Sequence, residues 1–419
     1  MRILFATFSD RTHFLGLVPL AWALRAAGHE VLVASQPELG PVVRASGLSF
    51  AQVGKDHMLA QMIALGSRTT GGGGSGFDML EVAAEPRPDL ETLHSAYRDS
   101  YIPWWWRLIN DPMTGDLVDL GRAWRPDLVV WEPITYSGAI AAEACGARHV
   151  RHLWSLDLFA ALRRLFLERM DERSGEEWDD PLRSWLENRA SRHGVDYSED
   201  LVTGHATIDY LPPSLHVPLN VRTSRLPMRY VPYNGRAVVP DWLRTPPSRP
   251  RVALSLGTTA THRMGGYTVD VSTVLEGLSE LDVEVVATLP AAEQERLGTV
   301  PSNARLVEYV PLHALAPTCD AMITHGGTGT VLSGLVHGVP QVISPRPTYD
   351  EALVARTVAG QGAALVLDPK DVTGESMAES VRTLLEDPRH TLAARSLREE
   401  VRAMPSPVEL ARTLVRDVR

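Results

Sequence analysis

The stretch Ala321-Met322-Ile323-Thr324-His325-Gly326-Gly327-Thr328-Gly329-Thr330-Val331-Leu332-Ser333-Gly334-Leu335-Val336-His337-Gly338-Val339-Pro340 decides how this chain is read. Four residues of buried-strand character run into a glycine-rich turn, and the apolar residues after it predict a helix. Glycines there remove side chains and let an anion approach backbone N–H groups. The helix N-terminus adds unpaired donors and a partial positive charge. Such a terminus favours an anion by about 0.3–1 kcal/mol, and by up to about 2 kcal/mol when partly buried. Thr328 and Thr330 bring hydroxyl donors, and His325 stands at the strand end. Alone, Gly-Gly-x-Gly is equally a turn that only seats a helix on a strand. Two neighbours favour the anion site: the histidine itself, and Pro345-Arg346-Pro347-Thr348-Tyr349-Asp350-Glu351 after the next strand. Asp350 and Glu351 then lie at that strand's carboxyl end, where sugar hydroxyls could be gripped.

Outward from this motif the same pattern repeats. Arg251-Val252-Ala253-Leu254-Ser255-Leu256 is a buried strand ending in Gly257-Thr258-Thr259. Near the N-terminus, Arg2 to Thr7 leads through a polar loop to an apolar-periodic helix from Leu17 to Ala27. Gly28 stands where a left-handed C′ residue belongs, and the strand Val31-Leu32-Val33-Ala34 follows, completing a βαβ unit. Further strands are expected at Leu128–Trp131, Glu284–Ala287, Ala321–Thr324 and Gln341–Ile343. The proline-rich stretch from Pro232 to Pro250 reads as a linker. The expected fold is therefore α/β, with two doubly wound parallel sheets facing one another and the site in the cleft beyond their carboxyl ends. The expected domains are 1–231, a linker 232–250, 251–405, and a final helix 406–419 packing back on the first domain. Two stretches break the pattern. Residues 55–120 carry the glycine run 70–76 and Trp104-Trp105-Trp106, and residues 160–220 are charged and partly helical. Insertions of this kind carry specificity, and acceptor recognition is placed there. The bland alternatives are a disordered surface loop and a tryptophan that is simply core.

Composition narrows the function. The 419 residues, 44% of them hydrophobic, suffice for two cores. A net charge of −10 argues against nucleic acid or an anionic membrane as the partner. Cys145 and Cys319 are too few for a disulfide framework or a structural zinc site, and they read as core residues of a cytoplasmic protein. No apolar run has the length of a membrane span, and no signal-peptide h-region is evident.

The motifs of other chemistries are missing. There is no D-x-D triplet and no H-E-x-x-H to hold a metal, so no metal is expected. No P-loop occurs. The loop Thr7-Phe8-Ser9-Asp10-Arg11-Thr12-His13-Phe14-Leu15-Gly16 lacks the G-x-G-x-x-G of a dinucleotide site. That loop does hold His13. An alcohol is a poor nucleophile, and a histidine can take its proton as it attacks, typically for a factor of about 10²–10⁴. Glu132, at the end of Leu128–Trp131, is the first candidate for the carboxylate that orients His13, and Asp10 the second.

Here the sequence resembles a family. His325 through Pro340, followed by Asp350-Glu351, resembles the donor signature of the nucleotide-diphospho-sugar-dependent glycosyltransferases of the GT-B fold (family 1). Leu17 through Val31, Met228 through Gly235, Val238 through Leu243 and Val310 through Leu315 resemble the branch that attaches deoxysugars to macrolide and anthracycline antibiotics. The resemblance spans essentially the whole chain, weakest at 55–120. It implies an inverting transfer from a TDP-deoxysugar to a polyketide aglycone, with His13 as general base. It further implies that His325 and the amides of Gly326, Gly327, Thr328, Gly329 and Thr330 hold the diphosphate, with Thr258 as a second donor. Tyr309, Val310 and Leu312 would line the base, and Asp350 and Glu351 would bind the sugar. The family often has Gln or Asn after that aspartate, so Glu351 departs from it. No cofactor is implied. Some relatives need a cytochrome-P450-like helper protein, and the linker and Thr207-Ile208-Asp209 resemble theirs. A helper and a homodimer are therefore expectations to test. Two alternatives share the architecture: a sugar-nucleotide 2-epimerase, which needs no acceptor site, and a non-catalytic nucleotide-sugar-binding partner protein. The apolar-aromatic stretch 77–110 argues against the first, and intact His13, His325 and Asp350 argue against the second.

Overall fold

A computed structural model of the chain describes residues 1–59, 61–62, 87–221, 223–257, 266–346 and 349–418. The glycine run 70–76 and Thr258 lie outside the described residues. The chain divides into two compact units, each built on its own parallel sheet. The first comprises Met1–Tyr210, Pro218–Met228 and Pro405–Arg419; the second comprises Leu211–Val217 and Arg229–Met404.

The first unit's strands are β1 (Arg2–Ala6), β2 (Glu30–Ser35), β3 (Ser49–Gln52), β4 (Leu128–Trp131), β5 (Arg148–His152), β6 (Ala206–Asp209) and β7 (Arg225–Pro227). They lie in the order β3-β2-β1-β4-β5-β6-β7, all parallel. The second unit's strands are β8 (Arg251–Ser255), β9 (Glu284–Thr288), β10 (Ala304–Val307), β11 (Ala321–Thr324), β12 (Gln341–Ile343) and β13 (Ala364–Val366). Their order is β10-β9-β8-β11-β12-β13, again parallel. In both sheets the order reverses beside the first strand of the unit, which is where doubly wound sheets open a crevice at their carboxyl ends. Apolar strands such as Leu128-Val129-Val130-Trp131, wholly buried, are what a sheet covered on both faces demands.

The first helix differs from its sequence reading. It spans Arg11–Ala26, six residues earlier than the apolar periodicity begins, so His13 sits in its first turn and not in a loop. The cause is Asp10, whose Oδ1 accepts from the Thr12 amide at 2.7 Å and the His13 amide at 3.4 Å. An N-cap of this kind starts a helix whatever the polarity of its first turn. The final helix, Pro407–Val418, packs on Arg11–Ala26 within the first unit through Leu410, Ala411 and Leu414. The proline-rich stretch 232–250 clusters with the second unit, as does 211–217. The Ser214 amide donates to Glu400 at 2.8 Å, and its carbonyl accepts from Gln361 at 3.2 Å. Of the three tryptophans, Trp106 is core and Trp104 is exposed. The charged 160–220 stretch forms the helices Leu158–Glu172 and Pro181–Ala190. The buried guanidinium of Arg163 ties them together, reaching Asp180 at 2.7 Å and Glu199 at 2.6 Å.

Candidate active site

In the first unit, β1 and β4 are neighbours, so the segments leaving their carboxyl ends meet. They bring His13 and Glu132 together: His13 Nδ1 lies 3.0 Å from Glu132 Oε1. Glu132 is buried and densely bonded. Its Oε1 also accepts from Trp154 Nε1 at 3.0 Å, and its Oε2 accepts from Thr135 Oγ1 at 2.7 Å and from the Ile134 amide at 3.3 Å. Indole and amide N–H groups can only donate, so both carboxylate oxygens act as acceptors. The tautomer follows: Nδ1 carries the hydrogen and Nε2 is the accepting nitrogen, the arrangement a general base needs. The imidazole is held between Phe8, edge-on with centroids 5.1 Å apart, and Trp154, with centroids 4.6 Å apart. The other carboxylate, Asp10, caps the helix and meets the His13 backbone.

Beneath this pair lies a layer that sequence reading missed. Asn110 donates to the Trp106 and Ile134 carbonyls at 2.8 Å each and accepts from the Ser137 amide at 2.9 Å, which fixes the turn carrying Glu132 and Thr135. Gln36 likewise fixes the His13 side by accepting from the Ser9 amide at 2.7 Å. Nothing in a single sequence distinguishes these amides from surface ones.

In the second unit, β11 leads through His325-Gly326-Gly327 into the helix Thr328–Leu335. His325 is packed so closely that neither flanking glycine could carry a side chain. A Cβ on Gly257 would come within 2.6 Å of the ring, and one on Gly327 would overlap Nε2. Burial pushes the imidazole down to about 4, helped by the charge of Arg346. At neutral pH the imidazole is therefore uncharged, and it can still donate an N–H. Its Nδ1 is buried without a hydrogen-bond partner. The helix itself starts without a side-chain cap, at Gly327.

The acidic pair packs against this turn. A Cβ on Gly326 would lie 3.2 Å from the Glu351 carbonyl oxygen. Burial, and then the charge of Asp350, raise Glu351 to about 7. Its Oε2 accepts from the Arg346 amide at 3.1 Å, whereas the Arg346 guanidinium turns away to the Gly266 carbonyl at 2.8 Å. Around the expected nucleobase segment, Val310 is core, Leu312 opens a short helix, and Tyr309 is largely exposed. Asn234, missed in the sequence, organises them. Its carbonyl accepts from the Tyr309 hydroxyl, and its Oδ1 accepts from the His313 amide at 3.1 Å and from His313 Nδ1 at 3.0 Å. Thr207-Ile208-Asp209 form β6 and are buried, so their resemblance is one of core and not of a docking face.

Among the described residues, Glu143, His149 and His205 converge in a way that could suit a metal. Their hydrogen bonds fit it poorly. His149 Nδ1 accepts from Trp131 Nε1 at 3.1 Å, and His205 Nδ1 accepts from the His149 amide at 3.2 Å. Both rings must then carry their hydrogen on Nε2, the atom turned toward Glu143. The cluster is at the amino ends of β5 and β6, the opposite end of the sheet from His13.

Two Rossmann-like sheets, one with a carboxylate-held histidine and one with an uncapped glycine turn beside an acidic pair, define a glycosyltransferase of the GT-B fold. Residues 22–257 match the N-terminal domain, and 272–416 the C-terminal domain, of the erythromycin biosynthesis protein CIII-like family. The chain belongs to that family. It is 42% identical to the 10-deoxymethynolide desosaminyltransferase of Streptomyces venezuelae, covering 99% of this chain and 97% of the relative. It is also 42% identical to the aklavinone 7-beta-L-rhodosaminyltransferase of Streptomyces galilaeus, covering 99% and 95%. Among solved structures, the glycosyltransferase VinC in complex with dTDP superposes with a TM-score of 0.88 at 39% identity, covering 100% of this chain and 99% of VinC. These relatives are transferases, which does not favour the epimerase reading. No helix among the described residues is long and apolar enough to cross a membrane.

Proposed function

We propose that this enzyme transfers a deoxysugar from a TDP-sugar to a hydroxyl of a macrolide- or anthracycline-type polyketide aglycone, with inversion at the anomeric carbon. His13 Nε2 takes the acceptor proton as the oxygen attacks C1. The bond from C1 to the diphosphate oxygen breaks, and TDP leaves. Glu132 holds the imidazole and stabilises the cation formed on it. His325, the amides from Gly326 to Thr330, and Thr258 receive the developing diphosphate charge. Tyr309, Val310 and Leu312 line the thymine, and Asp350 and Glu351 grip sugar hydroxyls. The carrying observation is the 3.0 Å contact from His13 Nδ1 to Glu132, which leaves Nε2 as the acceptor. VinC bound to dTDP and the spinosyn rhamnosyltransferase SpnG complexed with thymidine diphosphate support the donor class.

The proposal includes turnover without a metal, a cytoplasmic site of action, a homodimer, and a cytochrome-P450-like helper. Activity of the purified chain alone removes the helper, and sedimentation tests the dimer. The deciding experiment is thermal stability against TDP, UDP, ADP and NAD, each with and without EDTA. A ligand at 100 times its Kd adds roughly 2.7 kcal/mol. Stabilisation by TDP above UDP, indifferent to EDTA, is expected. A shift with NAD alone, or one abolished by EDTA, overturns the reading.

A further inference from the structure

Trp154 has no place in the roles given so far. It lies two residues beyond β5, and its indole Nε1 donates to the same Glu132 oxygen that accepts from His13, at 3.0 Å in each case. Its ring lies over the imidazole with the planes 30° apart. Trp154 is itself fixed from two sides. Its carbonyl accepts the Tyr210 hydroxyl, and its ring meets Phe159 edge-on at 6.2 Å. The side chain is only partly buried, so water could satisfy its N–H. The bond to a buried carboxylate is thus more than the residue needs for its own solvation.

We propose that Trp154 is a positioning residue for the transfer, which sets both the plane of the His13 imidazole and the strength with which Glu132 holds it. The inference rests on His13 being the base. An oxygen that accepts two N–H bonds divides its charge between them, so the indole weakens the pull of Glu132 on the protonated imidazole. Without the indole N–H, Glu132 would hold the imidazolium more tightly, and His13 would be lost to protonation at a higher pH. The ring contact acts separately, by removing the rotational freedom that would otherwise misalign Nε2.

The test is Trp154→Phe, which keeps a ring and removes the N–H, measured beside His13→Ala. Expected for Trp154→Phe are a kcat about tenfold lower and a KM for the sugar donor within about twofold of the parent. The rising limb of the pH–rate profile should move upward by about 0.5 in pH. A parental kcat and pH profile in Trp154→Phe, with His13→Ala inactive, overturns this inference and leaves the base reading standing. Full turnover in His13→Ala overturns both. A readout in the parent chain does not depend on the folding of any Trp154 variant. The Trp154 indole N–H resonance should titrate with the midpoint of the rising limb and stop titrating in His13→Ala. An indole resonance that is flat across that range in the parent sinks the proposal.

Discussion

The helix Arg11–Ala26 and the helix Thr328–Leu335 each follow one of the two strands that flank the point where their sheet reverses, β1 in the first unit and β11 in the second. They begin in opposite ways. The first is capped by the chain's own anion, Asp10. The second begins at Gly327, with no side chain to cap it. Among the described residues five other α-helices follow the first pattern, with Asp89, Asp157, Asp180, Asp270 and Asp387 as caps. A helix terminus that holds its own carboxylate has used its donors and its field, whereas one started by glycine keeps both for an external anion. The proposed base thus sits on a terminus already filled by its own anion, and the proposed diphosphate site on one left open.

The largest effect expected on this contrast comes from His13→Ala. Turnover should fall by roughly 10²–10⁴ while TDP still stabilises the protein, because the donor elements belong to the other unit. Rates and thermal shifts measured on one preparation check both halves of that statement. Next is Gly327→Ala, whose new methyl overlaps His325. Overpacking of this kind costs about 1–3 kcal/mol, which should weaken TDP binding about tenfold or more by calorimetry. An unchanged affinity would mean that the open turn is not where the diphosphate sits. Third is Asp10→Ala, which should destabilise by about 1 kcal/mol without altering TDP binding. If the uncapped first helix then took up phosphate, a bare helix terminus would suffice for a site and the comparison would collapse.

The last test concerns pH. Glu351 is raised to about 7, so the folded chain keeps its proton where the unfolded chain has lost it. Stability from this group is complete in acid and declines as pH rises from the ordinary glutamate range through about 7. Glu351→Gln should therefore gain melting temperature relative to the parent at pH 8 and gain little at pH 4. Parallel melting curves across that range would remove the assignment.

Much of the sheet architecture was legible because β1, β4, β8, β9, β11 and β12 are short apolar runs bounded by turn residues. β5 was not, since Arg148-His149-Val150-Arg151-His152 reads as surface. It sits in the middle of the sheet with two of its polar side chains partnered inside: Arg151 pairs with Asp157, and His149 lies between Trp131 and Glu143. The site shows the same division. His13, Glu132 and the glycine turn could be named from motif and strand-end position. Trp154, Asn110 and Asn234 make contacts across 22, 24 and 79 residues of chain, which no local pattern records. The start of the first helix was misplaced because periodicity reports burial and a cap does not depend on it.

The helix Pro407–Val418 lies on Arg11–Ala26, so the unit that carries His13 is built from both ends of the sequence. During synthesis that unit stays unfinished while the whole second unit emerges and is free to fold. The first unit closes only once Leu410, Ala411 and Leu414 have been made. A ribosome that stalls or terminates before the codon for Pro407 would release a chain with a finished second unit and an unsealed first unit. Such a chain exposes an apolar stripe to chaperones and proteases, and quality control can distinguish it from one that carries the helix before either has met a substrate.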